Sequence, residues 1–301
     1  MREPWPSART RQRRREFASA FSGVPARGLG DGLEIGGGDG FLASLLVPLC
    51  RSFVTTDSFR PRLVDGDQRK VRRLVCDGTA VPFKDQSFDF IFSSSVLEHV
   101  RDRAAVYQEM RRCLRPGGLM LHIMPSRTWK LLQLIFYYPH LLIGGGDLLL
   151  DRLSRLSVSA SGAGAAALPA LAAPTAAPPA ALSFDRWSDQ RRWRVSLRTV
   201  LQGMVPRVHG EYPDHVREWV GFGAEAWKSE FQAAGLHVCR IARLPLYSGY
   251  GFGLERLRHF GERMGLSAHN AFLISTEAQA PASAAWFDSP PLPQLKAAPP
   301  A

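Results

Sequence analysis

A glycine-dense turn that follows a short apolar run and precedes a possible helix could hold a nucleotide. The turn is Leu33-Glu34-Ile35-Gly36-Gly37-Gly38-Asp39-Gly40, with four glycines in five positions. Lacking a Cβ, glycine takes positive φ and lets a ligand approach the main chain, and the run Phe41 to Leu46 can start a helix whose free N–H groups face the site. The dinucleotide pattern fits only partly. From Gly36 it would need glycine where Phe41 stands; from Gly38 the permissive G-x-G-x-x-A is met by Gly38, Gly40 and Ala43. Asp57 follows Ser52 to Thr56, a short strand, and can either accept from ribose hydroxyls or cap a following turn, with Asp65 and Asp67 as alternatives.

A third apolar run, Arg73 to Cys76, ends at Asp77-Gly78-Thr79, and Pro82-Phe83 follows. Ser87-Phe88-Asp89 then opens an apolar strand through Ser93, and Val96-Leu97-Glu98-His99-Val100 comes after it. This segment, together with the E-x-G-x-G-x-G arrangement of Glu34, Gly36, Gly38 and Gly40, resembles the methyltransferase type 11 group of class I S-adenosylmethionine-dependent methyltransferases. The resemblance implies S-adenosylmethionine as cofactor, with Glu34, Gly36, Gly38, Asp39 and Gly40 at its loop. It further implies that Asp57 holds the ribose, that Asp77 with Gly78 and Thr79 contacts the adenine, and that Ser93 adds a contact from the fourth strand.

Glu98 and His99 follow the carboxyl end of the fourth strand, where ligands of open α/β sheets lie, and are candidates for catalysis. They can equally start the helix that follows. His209, in His209-Gly210-Glu211-Tyr212, is a second candidate base, because imidazole titrates near neutrality, or else a turn residue. A sulfonium methyl is already electrophilic, so catalysis by alignment needs few side chains.

The elements that must position these residues follow a β-α-β order. Residues 103 to 114 have helical spacing, Arg115-Pro116-Gly117-Gly118 stops them, and Leu119 to Met124 gives a fifth strand. Ala224 to Ala234 reads as a helix capped by Gly235, Leu236 to Ile241 as a sixth strand, and Asn270 to Ser275 as a seventh. The pattern predicts a doubly wound, Rossmann-like α/β fold with a large insertion after strand five. The resemblance implies a seven-stranded sheet whose last strand lies antiparallel between the fifth and sixth.

The insertion, 125–222, has three parts. Residues 128–150 are apolar but broken by Pro139, His140 and Gly144 to Gly146, which argues against a membrane span and for a lid, an interfacial helix or an ordinary packed helix. Residues 157–182, alanine and proline without charge, read as a linker. The stretch 184–219 is rich in arginine and aromatics. Around this domain, 31–275, stand a basic N-terminal segment, 1–30, and a Pro/Ala-rich tail, 276–301, expected to lack structure.

With 301 residues and 45% hydrophobic content the chain can bury one sizeable core. Four scattered cysteines, Cys50, Cys76, Cys113 and Cys239, form no C-x-x-C, so neither disulfides nor a metal is expected. The arginine-rich N-terminus has no apolar signal core, which makes a cytoplasmic location the default. A net charge of +11 admits RNA or an anionic membrane surface on the inner face as a partner. The apolar insertion favours methylation of a small-molecule or lipid-like acceptor. RNA methylation, or a non-catalytic binding role on the same fold, is the alternative.

Overall fold

The structure is a computed structural model and describes residues 5–59, 71–142, 206–247, 255–278 and 281–288. The chain divides into two units, one of Met1–Phe136 with Arg207–Ala301, the other Tyr137–Pro206. In the second unit the described residues 137–142 are helical, and the Tyr137 ring meets Tyr138 edge-on at 5.4 Å. The linker 157–182 and most of the arginine-rich stretch lie outside the described residues.

The first unit is built on a seven-stranded sheet of order β3-β2-β1-β4-β5-β7-β6. Its strands are β1 (Asp31–Ile35), β2 (Ser52–Asp57), β3 (Arg72–Val75), β4 (Phe88–Ser94), β5 (Leu114–Pro125), β6 (His237–Arg243) and β7 (His269–Ser275). Strands β1 to β5 run parallel, while β7 pairs antiparallel with both β5 and β6, the arrangement the resemblance implies. Side chains alternate across the sheet, so neighbours in sequence serve opposite layers. Ile91, Met120, Phe272 and Ile274 pack with Tyr107 and Met110 of α3 (Arg103–Cys113). Trp227 and Phe231 of α6 (Ala224–Ala233) complete that layer. Phe90, Phe92, Leu121 and Leu273 pack on the other side with Leu42 and Leu46 of α2 (Phe41–Leu46) and with Phe21, just past α1 (Trp5–Ala20).

Several expected boundaries move for identifiable reasons. The Arg115 to Gly118 segment does not precede strand five but lies inside it as an irregularity. Pairing jumps from Phe88 with Leu114 to Phe90 with Leu119, and Gly117 supplies the positive φ of 70° that the excursion needs. The basic N-terminal segment contains the 16-residue α1, and the tail residues Ala282–Asp288 form a 3-10 helix whose Trp286 stacks on Phe21 at 5.9 Å. That part of the tail is therefore ordered, because Trp286 and Ala284 find apolar partners on the core. The end of α6 follows expectation: Gly235, at φ 70°, lets its own N–H reach Gln232 O and the N–H of Leu236 reach Phe231 O.

The end of the sheet away from the glycine turn is fixed by charge. Asp89 interrupts an apolar strand because its Oδ2 accepts from the Asp31 N–H at 2.8 Å and from Arg115 at 2.8 Å, and Arg51 and Arg115 both bind Asp31. These partners, Arg51 first, hold the Asp31 carboxyl well below the usual carboxylate range.

Candidate cofactor and acceptor site

The carboxyl ends of β1, β2 and β3 meet at one edge. Beyond β1 the N–H groups of Gly36 and Gly37 both donate to Thr56 O, at 2.8 and 2.9 Å, which bends the chain over the end of β2. Asp57 then bridges the turn, its Oδ2 accepting from Gly38 N–H at 2.8 Å and its Oδ1 from Phe59 N–H at 3.0 Å. Asp57 thus caps its own turn and also ties it to the glycine loop. Gly38, at φ 50°, has nothing within 4 Å of where a Cβ would project, so the loop opens there. At Gly36, φ 75°, a Cβ would meet the Val96 side chain at 2.3 Å.

Glu34 lies behind the loop, buried, with Oε2 accepting from Thr55 Oγ1 at 2.6 Å. A Cβ on Gly37 would strike that pair, so Glu34 supports the loop from beneath rather than lining its open face. Burial pushes its carboxyl up to about 7, against the Thr55 hydrogen bond that favours ionisation. Asp39 is also engaged. Its Oδ1 accepts from Phe41 N–H at 3.0 Å and from Arg13 of α1 at 3.2 Å, so it satisfies the start of the short α2 itself. On the other side Arg73 of β3 reaches the Asp39 carbonyl at 3.5 Å, and its Nε and Nη1, both buried, make no hydrogen bond. Neither arginine stood out within the basic runs that contain them.

Asp77, just past β3, accepts from the Thr79 N–H and hydroxyl, each at 2.9 Å and each through Oδ1. The backbone bond, then the hydroxyl bond, lower its pKa. Gly78 packs its backbone close to Ile35. Ser93 departs from expectation. In register with His122 on β5, it is fully buried and its hydroxyl meets His122 Nδ1 at 2.8 Å, on the face covered by Phe231 rather than at the open edge. Burial pushes the His122 imidazole down to about 3.

Beyond β4 a second set of groups gathers around Trp129, which lies on α4, helical through 127–142. The Trp129 ring is 4.9 Å from that of His209 and 6.1 Å from that of His269. His209 and His99 meet edge-on at 4.5 Å, and both present Nε2 to Glu98 Oε1, at 3.6 and 4.0 Å. Glu98 is fully buried and neither carboxylate oxygen accepts a hydrogen bond from the described residues. The structure thus brings together the three residues singled out for catalysis. Gly210 makes this docking possible: at φ 76° a Cβ there would strike Glu98 O, the atom to which Glu211 N–H donates at 2.8 Å.

His269 and its partners escaped the sequence reading. Its Nδ1 is 2.8 Å from Glu16 Oε1 of α1 and 2.8 Å from the Tyr247 hydroxyl, and its Nε2 is 3.3 Å from Ser95 Oγ. Ser95 has φ 53°, strained for a residue with a Cβ, directly after β4. The one available signal was that Glu16 is the acid within an arginine run. A buried ion pair anchors this side: Lys130 Nζ lies 2.6 Å from Glu218 Oε2, with His215 Nδ1 at 3.5 Å from the same oxygen. It joins α4 to α5 (His215–Gly221), and Asp214 Oδ1 caps α5 by accepting from Arg217 N–H. Burial lowers the Lys130 pKa, opposed by Glu218.

A parallel sheet with a glycine loop after its first strand and acids closing the next two defines α/β proteins that hold a nucleotide-like ligand at their strand ends. Residues 33–122 match the family model described as a methyltransferase domain, so this segment is similar to that family. It is 37% identical over 89 residues to an uncharacterised methyltransferase of Mycobacterium sp. strain KMS, covering 29% of this chain and 35% of that protein. It is 31% identical over 113 residues to the ubiquinone/menaquinone biosynthesis C-methyltransferase UbiE of Desulfotalea psychrophila, covering 36% and 45%. The chain thus spans less than half the length of these relatives. A chain from the complex between the Haloferax volcanii Trm112 methyltransferase activator and a methyltransferase aligns over 90% of this chain and 95% of its own, at 13% identity and TM-score 0.48.

Proposed function

We propose that the protein transfers the methyl group of S-adenosylmethionine to a small-molecule or lipid-like acceptor by direct displacement. The observation that carries this reading is the Asp57 carboxylate lying against Gly38, where among the described residues nothing lies within 4 Å of a Cβ position. The residues suit the cofactor: Asp57 would hold the ribose hydroxyls, Asp77 would accept from the adenine amine, and the backbone of Gly36 to Gly40 would lie against the remainder. When bound, the cofactor supplies a methyl carbon made electrophilic by its sulfonium.

The chain's own part is to orient the acceptor and receive a proton. Trp129 offers an apolar face, and Leu131 and Ile135 on the same helix are exposed, which supports an acceptor with apolar bulk. Glu98, His99 and His209 face the acceptor from the β4 side. His269 faces it from β7, its ring held at Nδ1 by the Tyr247 hydroxyl with Glu16 alongside, and takes the proton that the acceptor releases. Among the described residues no helix is long and apolar enough to cross a membrane.

Incubating the protein with methyl-tritiated S-adenosylmethionine and fractionated cell extract tests the acceptor class. Label is expected in the lipid or small-molecule fraction, and His269→Ala is expected to slow its appearance. Label confined to RNA would replace this reading with the RNA-directed one.

A further inference from the structure

The Glu98 side chain poses a physical problem that the methyl-transfer reading leaves unsolved. Its carboxylate is fully buried, neither oxygen accepts a hydrogen bond from the described residues, and a buried carboxylate is tolerated only when it is paired, neutralised or bound to a metal. Two imidazole nitrogens converge on one of its oxygens, but at 3.6 and 4.0 Å, longer than any hydrogen bond. Such gaps are instead close to the span between two ligands of one cation. With Zn–N bonds of about 2.0–2.1 Å in tetrahedral geometry, neighbouring ligand atoms lie roughly 3.4 Å apart. The three ligand atoms, one from each of Glu98, His99 and His209, all lie within 4.8 Å of one another.

We propose that Glu98, His99 and His209 form a binding site for a divalent cation of the zinc type. Two imidazoles and one carboxylate make the donor set of a zinc site that keeps a fourth position open. The backbone is arranged for it: Glu98 and His99 are adjacent in the 3-10 turn Leu97–His99, and His209 is delivered from the insertion by the Gly210 contact and the Glu211 N–H bond to Glu98 O. Trp129 holds the far side of the His209 ring. The open position lies on the His99 side, where the side chain is 48% exposed. No thiolate takes part, which is why a reading guided by cysteine spacing gave no metal.

What the ion would do rests on the methyl-transfer reading; that it binds does not. In that reaction the ion held by Glu98, His99 and His209 would lower the pKa of an acceptor hydroxyl or phenol at the open position. This adds an oxygen-bearing acceptor to the proposed chemistry.

The test uses the full chain, free of any histidine tag, equilibrated with zinc, dialysed against metal-free buffer and analysed by inductively coupled plasma mass spectrometry. About one zinc per chain is expected. Glu98→Gln and His209→Ala should each weaken zinc binding by more than about a hundredfold, since loss of mere outer partners of a metal ligand already costs 10- to 100-fold. His99→Ala, at the exposed position, is the variant least able to disturb folding and should show the same loss. S-adenosylhomocysteine binding is measured on every variant as a check on the fold. Zinc lost while that binding persists supports the site. Zinc that is absent from the wild type, or equally bound by all three variants, overturns it. Failure of the methyl-transfer reading would appear separately, as metal binding without methylation of any acceptor.

Discussion

The two halves of the site are built by opposite means. At the proposed cofactor edge the work is done mainly by backbone and by acids at strand ends within residues 34 to 79, tied across the ends of β1 and β2, with Arg13 of α1 reaching in to Asp39. On the acceptor side it is done by buried charge, Lys130 with Glu218, His269 with Glu16, and Glu98 with two histidines, drawn from α1, β4, α4, the 209–218 segment and β7. The first half needs little beyond the sheet itself. The second exists only when distant segments meet, because the partners that stabilise these buried groups come from different elements.

The sharpest way to break the contrast is Glu218→Ala. Leaving Lys130 buried and unpaired is expected to destabilise the first unit by about 3–5 kcal/mol in urea denaturation, whereas Lys130→Met with Glu218→Leu should recover most of that loss. If the single variant proved neutral, the acceptor side would not depend on buried charge. Next in size is Gly36→Ala, which places a Cβ against Val96 at a positive φ. A loss of about 2–4 kcal/mol from strain and overpacking is expected, with cofactor affinity falling alongside.

A pH series separates a third contribution. His122 stays neutral in the fold down to about 3, whereas the unfolded ring takes a proton near 6.5. Its contribution to stability is therefore complete above 6.5 and is lost as pH falls toward 3, by about 1.4 kcal/mol per unit. Unfolding free energies at pH 7, 6 and 5 should fall more steeply for the wild type than for His122→Gln; parallel slopes would remove the assignment. The smallest effect belongs to Gly235→Ala at the end of α6, about 1 kcal/mol by thermal denaturation, since the left-handed conformation is at stake there and a Cβ would meet only the end of the flexible Arg111 side chain, at 2.6 Å.

The same contrast explains what the sequence disclosed. The parallel strands and the loop were legible because an apolar run and a glycine turn are local signals that a sheet converts into place, whereas the antiparallel seventh strand came from the family resemblance. Glu98, His99 and His209 were legible singly but not as a cluster, since Gly210 docking on Glu98 O is a contact across a hundred residues. Ser93 was misplaced because its register with His122 turns it inward, which no local pattern reveals. Glu16, Lys130, Glu218 and His269 carry no local signal of their role, because their partners are supplied by tertiary structure. Trp286, in a tail rich in proline and alanine, was passed over for the same reason.

Titration calorimetry with S-adenosylhomocysteine, on the wild type and on Asp57→Ala, tests the central claim most directly. One site per chain is expected, weakened by about 1–3 kcal/mol in the variant, as for the loss of a hydrogen-bonded charged acceptor. No binding by the wild type, or equal affinity for both proteins, would contradict the assignment of the Gly36 to Gly40 edge and Asp57 as the cofactor site.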